Sequence, residues 1–143
     1  MIQQTETAII EALRTAFPDY EVEAYSQSPS EYSFTHPEAA LVIVLQDVTL
    51  GEGPLASRQE RVLLPEFNVA LFTRSLRDGG RSGGPGAYEL MESTYDVLEG
   101  LAVAPPADSR FGALVMRCQR QFFIASLPGG AWVYGQDWTL SQD

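Results

Sequence analysis

The chain has 143 residues, 45% of them hydrophobic, with a net charge of −10 and a pI near 4.4. That length suits one domain over residues 1–143, which buries about 70% of its unfolded surface on folding without help from disulfides or metals. All nine basic residues are arginines, and so acidic a chain is repelled by nucleic-acid phosphates and by anionic membranes alike.

Residues 5–17 read as a first helix. Thr5 is placed to cap it, Glu6 suits its positive end, and Ile9, Ala12, Leu13, Ala16 and Phe17 recur at helical spacing on one face until Pro18 stops it. Glu21 to Tyr25 alternates polar and apolar, as a half-buried strand does. After a polar loop, Ala39 to Leu45 is continuously apolar and β-branched, the pattern of a strand covered on both faces. It is also the longest purely apolar run, far too short to span a bilayer. Gln46 to Ser57 carries Gly51, Gly53 and Pro54 and reads as a turn or loop. Arg58 to Thr73 reads as a long strand, with Pro65 predicted at a bulge or an edge and the strand bending or restarting there.

Leu76 to Gly86 holds five glycines in eleven residues, Gly79, Gly80, Gly83, Gly84 and Gly86, the composition of a flexible loop. Ala87 to Leu101 reads as a second helix with a Met91, Tyr95 and Leu98 stripe, closed by Gly100 and Pro105-Pro106. Gly112 to Ser126 reads as a strand, Pro128-Gly129-Gly130 as a hairpin turn, and Ala131 to Leu140 as the closing strand. The order α-β-β-β-α-β-β predicts an α+β domain: a mixed, mostly antiparallel sheet flanked by two helices.

Chemical equipment is sparse. Cys118 is the only cysteine, which precludes an intramolecular disulfide and suits a reducing compartment such as a bacterial cytoplasm. The opening residues lack the charged and apolar regions of a signal peptide. His36 is the only histidine, so one chain lacks the ligands for a four-ligand zinc site. A Cys118–His36 nucleophile pair is the one catalytic arrangement on offer, and Cys118 lies mid-strand among large residues, where inert buried cysteines are common. The glycine-rich stretch lacks the Gly-Lys-Ser/Thr ending of a phosphate loop. The predicted chain has no cofactor and no catalytic role.

Charge is segregated along the sequence. Residues 1–57 carry nine acids and one arginine, residues 58–81 five arginines and three acids, and residues 82–109 five acids and no arginine. Folded, such blocks give unlike faces that steer association, including with another copy. The expected interface residues are Arg58, Arg61, Arg74, Arg77 and Arg81, the loop glycines Gly79, Gly80, Gly83 and Gly84, and the aromatics Trp132 and Trp138, a residue type enriched at binding hot spots.

The wording of the chain resembles the tail terminator (tail completion) family of Mu-like phages. The resemblance covers Ile9-Ile10-Glu11-Ala12-Leu13, Val22-Glu23-Ala24-Tyr25, Thr35 to Val42, the arginine-bearing strand from Gln59 to Phe72, and Gly86-Ala87-Tyr88-Glu89-Leu90. It implies a homo-oligomer, a hexameric ring that caps the tail tube and last sheath ring, stops polymerisation and offers a surface to the head-tail connector. It also implies assembly in the host cytoplasm, a place at the head-proximal end of the virion's contractile tail, and DNA passing through without sequence-specific binding. Other readings are a different head-tail connector or assembly protein, a small dimeric α+β binding module, and an enzyme using Cys118 or His36.

Overall fold

The computed structural model describes residues 1–52, 61–76, 85–104 and 113–142. Helix α1 (Ile2–Ala16) leads into β1 (Glu21–Tyr25), a 3-10 turn at Pro29–Glu31, β2 (Ala39–Glu52), β3 (Arg61–Thr73), helix α2 (Ala87–Leu98), β4 (Ala102–Val103), β5 (Leu114–Leu127) and β6 (Ala131–Gln142). The six strands form one sheet in the order β1-β2-β3-β6-β5-β4. Among the described strands only β1 and β2 pair in parallel, so the sheet is mixed and mostly antiparallel, as the element order predicts.

The apolar run of β2 is buried on both faces because both faces have a cover. Leu41 and Ile43 point with Phe67, Val69, Leu71, Met116 and Trp138 into a core closed by Ile9 and Leu13 of α1 and Leu90 and Leu98 of α2. Ala40 and Val42 point the other way, with Ala70, Phe72 and Val133, beneath Tyr32 and Phe34 of the segment that joins β1 to β2. Complete burial of a Leu, Ile or Phe side chain stabilises by about 1.5–3 kcal/mol each, so the larger helix-side cluster dominates stability.

Several boundaries depart from expectation. Helix α1 begins three residues before Thr5, and Thr5 is not its cap. The residue is fully buried, and its Oγ1 donates back to the Met1 carbonyl at 2.6 Å. Such a back-bond satisfies a threonine hydroxyl inside a helix. The segment predicted as a loop after Leu45 continues as strand to Glu52, paired with Arg61 across a hairpin whose tip lies outside the described residues. Pro65 does not break β3. It pairs with Val48 on one side only, because β6 joins β3 from Phe67 onward, and β2 shifts register between Leu45 and Asp47 nearby. Pro65 therefore lies at a local edge beside a bulge, where its missing N–H costs no ladder bond. Helix α2 ends at Leu98, short of Leu101, because Gly100 takes φ +80° and its N–H turns to the Met116 carbonyl at 2.8 Å. Strand β4, which sequence periodicity is too short to reveal, follows at once.

The β5–β6 turn is the predicted one, with Gly129 and Gly130 at φ +94° and +90°. Gly135 in β6 serves another purpose: a Cβ there would stand 2.8 Å from the Phe122 ring and 2.9 Å from both Asn68 and Ile124. Its bare backbone lets Phe122 and Ile124 lie flat across the sheet.

Candidate assembly surface

The two long edges of the sheet differ. Strand β1 is five residues long, carries Glu21 and Glu23, and is sealed by Arg14 of α1, which donates to the Val22 carbonyl at 3.0 and 3.2 Å. That combination blunts an edge against further pairing. On the far side, β4 covers β5 only at Leu114 and Val115. Glu99 then accepts the Cys118 N–H at 2.8 Å, and from Gln119 to Leu127 no strand lies outside β5 among the described residues.

Beside this open edge, on the helix-covered face, stand the exposed aromatics. Phe123 is 52% exposed, Tyr88 44% and Tyr95 37%. Phe123 meets Tyr134 at 5.5 Å and Trp132 at 6.3 Å between ring centroids, and Tyr134 meets Tyr88 at 6.3 Å. Burial, and after it the neighbouring Tyr88, push the Tyr134 hydroxyl above its usual pKa. The consecutive Phe122-Phe123 pair was the available signal, since adjacent strand residues point to opposite faces of the sheet and put an aromatic on each.

Helix α2 brings its acidic side to the same place. Its start has no side-chain cap; instead the Ala87 and Tyr88 N–H groups bond the Ser75 and Leu76 carbonyls at 2.9 and 3.2 Å. The helix is locked over the sheet by Gln136, which is fully buried. Its Nε2 donates to the Met91 carbonyl at 2.9 Å and to Gln121 Oε1 at 2.8 Å, while its Oε1 accepts the Trp138 indole N–H at 3.3 Å. Between α2 and β5 lies a shallow cavity of about 250 Å³ lined by Glu92, Tyr95, Asp96 and Gln121.

The expected interface residues have different fates. Trp138 is not a surface anchor: it is fully buried in the helix-side core, with Tyr95 against it at 6.1 Å. Trp132 is half-buried at the margin of the aromatic patch. Arg74 is engaged within its own subunit, donating to the His36 carbonyl at 2.9 Å with its guanidinium 4.3 Å above the Phe34 ring. The Arg61 backbone is in β3, but its side chain, together with Arg58, Arg77, Arg81, Gly79, Gly80, Gly83 and Gly84, lies outside the described residues.

Cys118 and His36 are not brought together. Cys118 sits opposite Trp138, whose partner on β3 is Phe67, whereas His36 precedes Ala39, the partner of Thr73 six residues along β3. Strand geometry puts that at about 20 Å along the sheet, and the intervening strands add more. Burial, and then the Glu99 carboxylate, raise the Cys118 pKa and keep the thiol protonated. His36 acts locally: its Nδ1 accepts the Glu38 and Ala39 N–H groups at 3.0 and 3.2 Å and shapes the entry to β2. No group of three or more His, Cys, Asp or Glu suited to a metal is present among the described residues.

A mixed sheet with two helices on one face, and among the described residues an open edge and a patch of surface aromatics, defines an α+β domain. By sequence, residues 9–139 match the Gp37 protein family, and the chain belongs to that family. No curated protein matches it. Its fold is similar to that of a chain in the virion of a native gene transfer agent particle, with a TM-score of 0.55 at 10% identity, covering 94% of this chain and 91% of that one.

Proposed function

We propose that this protein is a structural subunit of a phage-type particle, and within that class a tail terminator. In this reading identical copies close into a ring, with six as the expected number. The ring caps the tail tube and its last sheath ring, ends polymerisation, and presents the surface that joins the head connector. The observation that carries the reading is the end-to-end likeness of the fold to a chain of a virion particle. The Gp37 family assignment and the sequence resemblance point the same way.

The physics of the surface supports it. A ring of identical subunits needs a head-to-tail contact between two unlike patches. The molecule offers an open β5 edge flanked by exposed aromatics on one side and a short, sealed, acidic β1 edge on the other. A net charge of −10 also keeps DNA from adhering as it passes through such a ring.

The test is direct imaging. Purified protein mixed with tail tubes that lack a terminator is viewed by negative stain. Annuli seated on one end of each tube, and tubes of fixed length in the presence of tube protein, are the expected result. Protein that leaves tube ends bare and tube growth unchanged overturns the assignment.

A further inference from the structure

We infer that neighbouring copies join strand to strand: the open part of β2 in one copy hydrogen-bonds antiparallel to the open part of β5 in the next, and the sheet runs on from subunit to subunit. The inference rests on the ring reading above and names the contact that closes it.

Both edge strands are shorter than the strands they cover. Strand β1 pairs with β2 only from Ala40 to Val44, and β4 with β5 only at Leu114 and Val115. Among the described residues no strand flanks β2 from Leu45 to Glu52, or β5 from Gln119 to Leu127. At strand rise these runs are each about 25–30 Å long. An open run of that length presents backbone N–H and C=O groups that template a further strand. The β2 run has a second reason to be covered. Strand β6 meets β3 only from Phe67 onward, so Asp47–Glu52 and Arg61–Glu66 continue among the described residues as a ribbon of two strands. Such a ribbon is marginal in water by itself.

The two open runs lie at diagonally opposite corners of the sheet. Ser126 of β5 is level with Trp132 of β6 and Thr73 of β3, whereas Glu52 and Arg61 lie past the other end of the β3–β6 pairing. One copy therefore cannot pair its own runs with each other. Three successive antiparallel pairings separate β2 from β5, so the two strands point in opposite directions. Copies set side by side in one orientation bring the runs together as an antiparallel pair, with β1 of one copy and β4 of the other clear of the joint at its two ends. The contact joins unlike patches, as a ring requires. Inclining the strands to the ring axis absorbs the stagger, as it does in a closed barrel.

Side chains match on both faces of such a joint. Leu45 is 41% exposed and Phe123 52%. Leu45 pairs with Phe67, and Phe123 pairs with Tyr134, the partner of Leu71. Phe67 and Leu71 both belong to the helix-side core, so Leu45 and Phe123 stand on that face, where the joint gathers them together. On the opposite face stand Asp47, the partner of Glu66, and Arg120, opposite Asp137 and in line with Asn68. Asp47 is exposed and the Arg120 side chain largely so, which places an acid on one run and a base on the other. Bulges between Leu45 and Asp47, and between Phe123 and Ala125, twist the two edges and disfavour pairing with a flat strand of another protein.

Cysteine cross-linking in the full chain, with Cys118→Ser throughout, tests the joint. Gln46→Cys and Thr49→Cys mark the β2 run, Phe123→Cys and Ser126→Cys the β5 run; all four positions are exposed, and unchanged melting confirms that each variant folds. A disulfide forms only where Cα atoms approach within about 7 Å, as they do across paired strands. Each β2 variant is mixed with each β5 variant and mildly oxidised. At least one mixture is expected to give linked dimers holding one copy of each, at roughly tenfold the yield of either variant alone. A β5 variant that links chiefly to itself overturns the head-to-tail joint in favour of a two-fold one. Wild-type rings in sedimentation velocity, with no linked product from any mixture, would sink the joint while sparing the ring. A wild type that stays monomeric at every concentration overturns the ring reading and this inference with it.

Discussion

At the residue scale, two buried polar groups make sharp predictions. Asp137 is 2% exposed and accepts Asn68 Nδ2 at 3.1 Å and Arg120 Nε at 2.6 Å. The Arg120 side chain is 64% exposed, so water replaces most of what it loses if the pair is broken. Asp137→Ala, which strands a buried amide, is expected to cost about 1–3 kcal/mol, and Arg120→Ala no more than about 1 kcal/mol. Chemical denaturation of the two variants checks the order. Tyr32 contributes to alkaline stability. Burial first, then its contacts with Glu23 and Glu21, raise its hydroxyl pKa above the ordinary 10.0. Above pH 10 the unfolded chain therefore releases a proton that the native state retains, and folding stability falls as pH rises. Stability measured from pH 8 to 11.5 is expected to decline more shallowly in Tyr32→Phe than in the parent. Equal slopes would remove Tyr32 from the account.

At the element scale, patterns that repeat were legible and interactions that do not repeat were not. Both helices, the β1 strand, the doubly covered β2 and the β5–β6 turn follow from periodicity and glycine placement. The extension of β2 to Glu52 was hidden because Gly51 and Gly53 signal a turn, while cross-strand pairing with β3 overrides that local preference. Helix α1 gained a turn because Ile2 packs on the core, a tertiary gain that capping rules do not register. Trp138 and Trp132 look alike in sequence, and only the register with Phe67 and Thr73 separates the buried ring from the marginal one. The acidic side of α2 was visible as charge, but its meeting with Gln121 depends on β5 lying beside β6. Gln136 is the residue that makes this meeting rigid. Gln136→Ala leaves the Trp138 indole N–H and Gln121 without their partner and is expected to destabilise by about 1–3 kcal/mol. Hydrogen exchange should quicken in α2 and remain unchanged in α1. Uniform quickening would mean that Gln136 supports the whole core instead.

At the scale of the whole molecule, the described residues divide labour between the edges of the sheet: one is sealed by Arg14 and acidic side chains, the other left open beside aromatics and the carboxylates of α2. A subunit built this way has a direction, and direction separates a closing ring from a two-fold dimer, in which the same patch meets itself. The strand order has a consequence in time as well. Strand β6, which follows the other five described strands in sequence, occupies the centre of the sheet between β3 and β5, and its Trp138 lies against Phe67 from far earlier in the chain. Until β6 is made, the β1-β2-β3 and β5-β4 parts of the sheet have no strand between them, so the sheet closes only once β6 is available. A chain cut short before β6 lacks the middle strand altogether, so a single strand decides whether both edges of the sheet exist in one molecule.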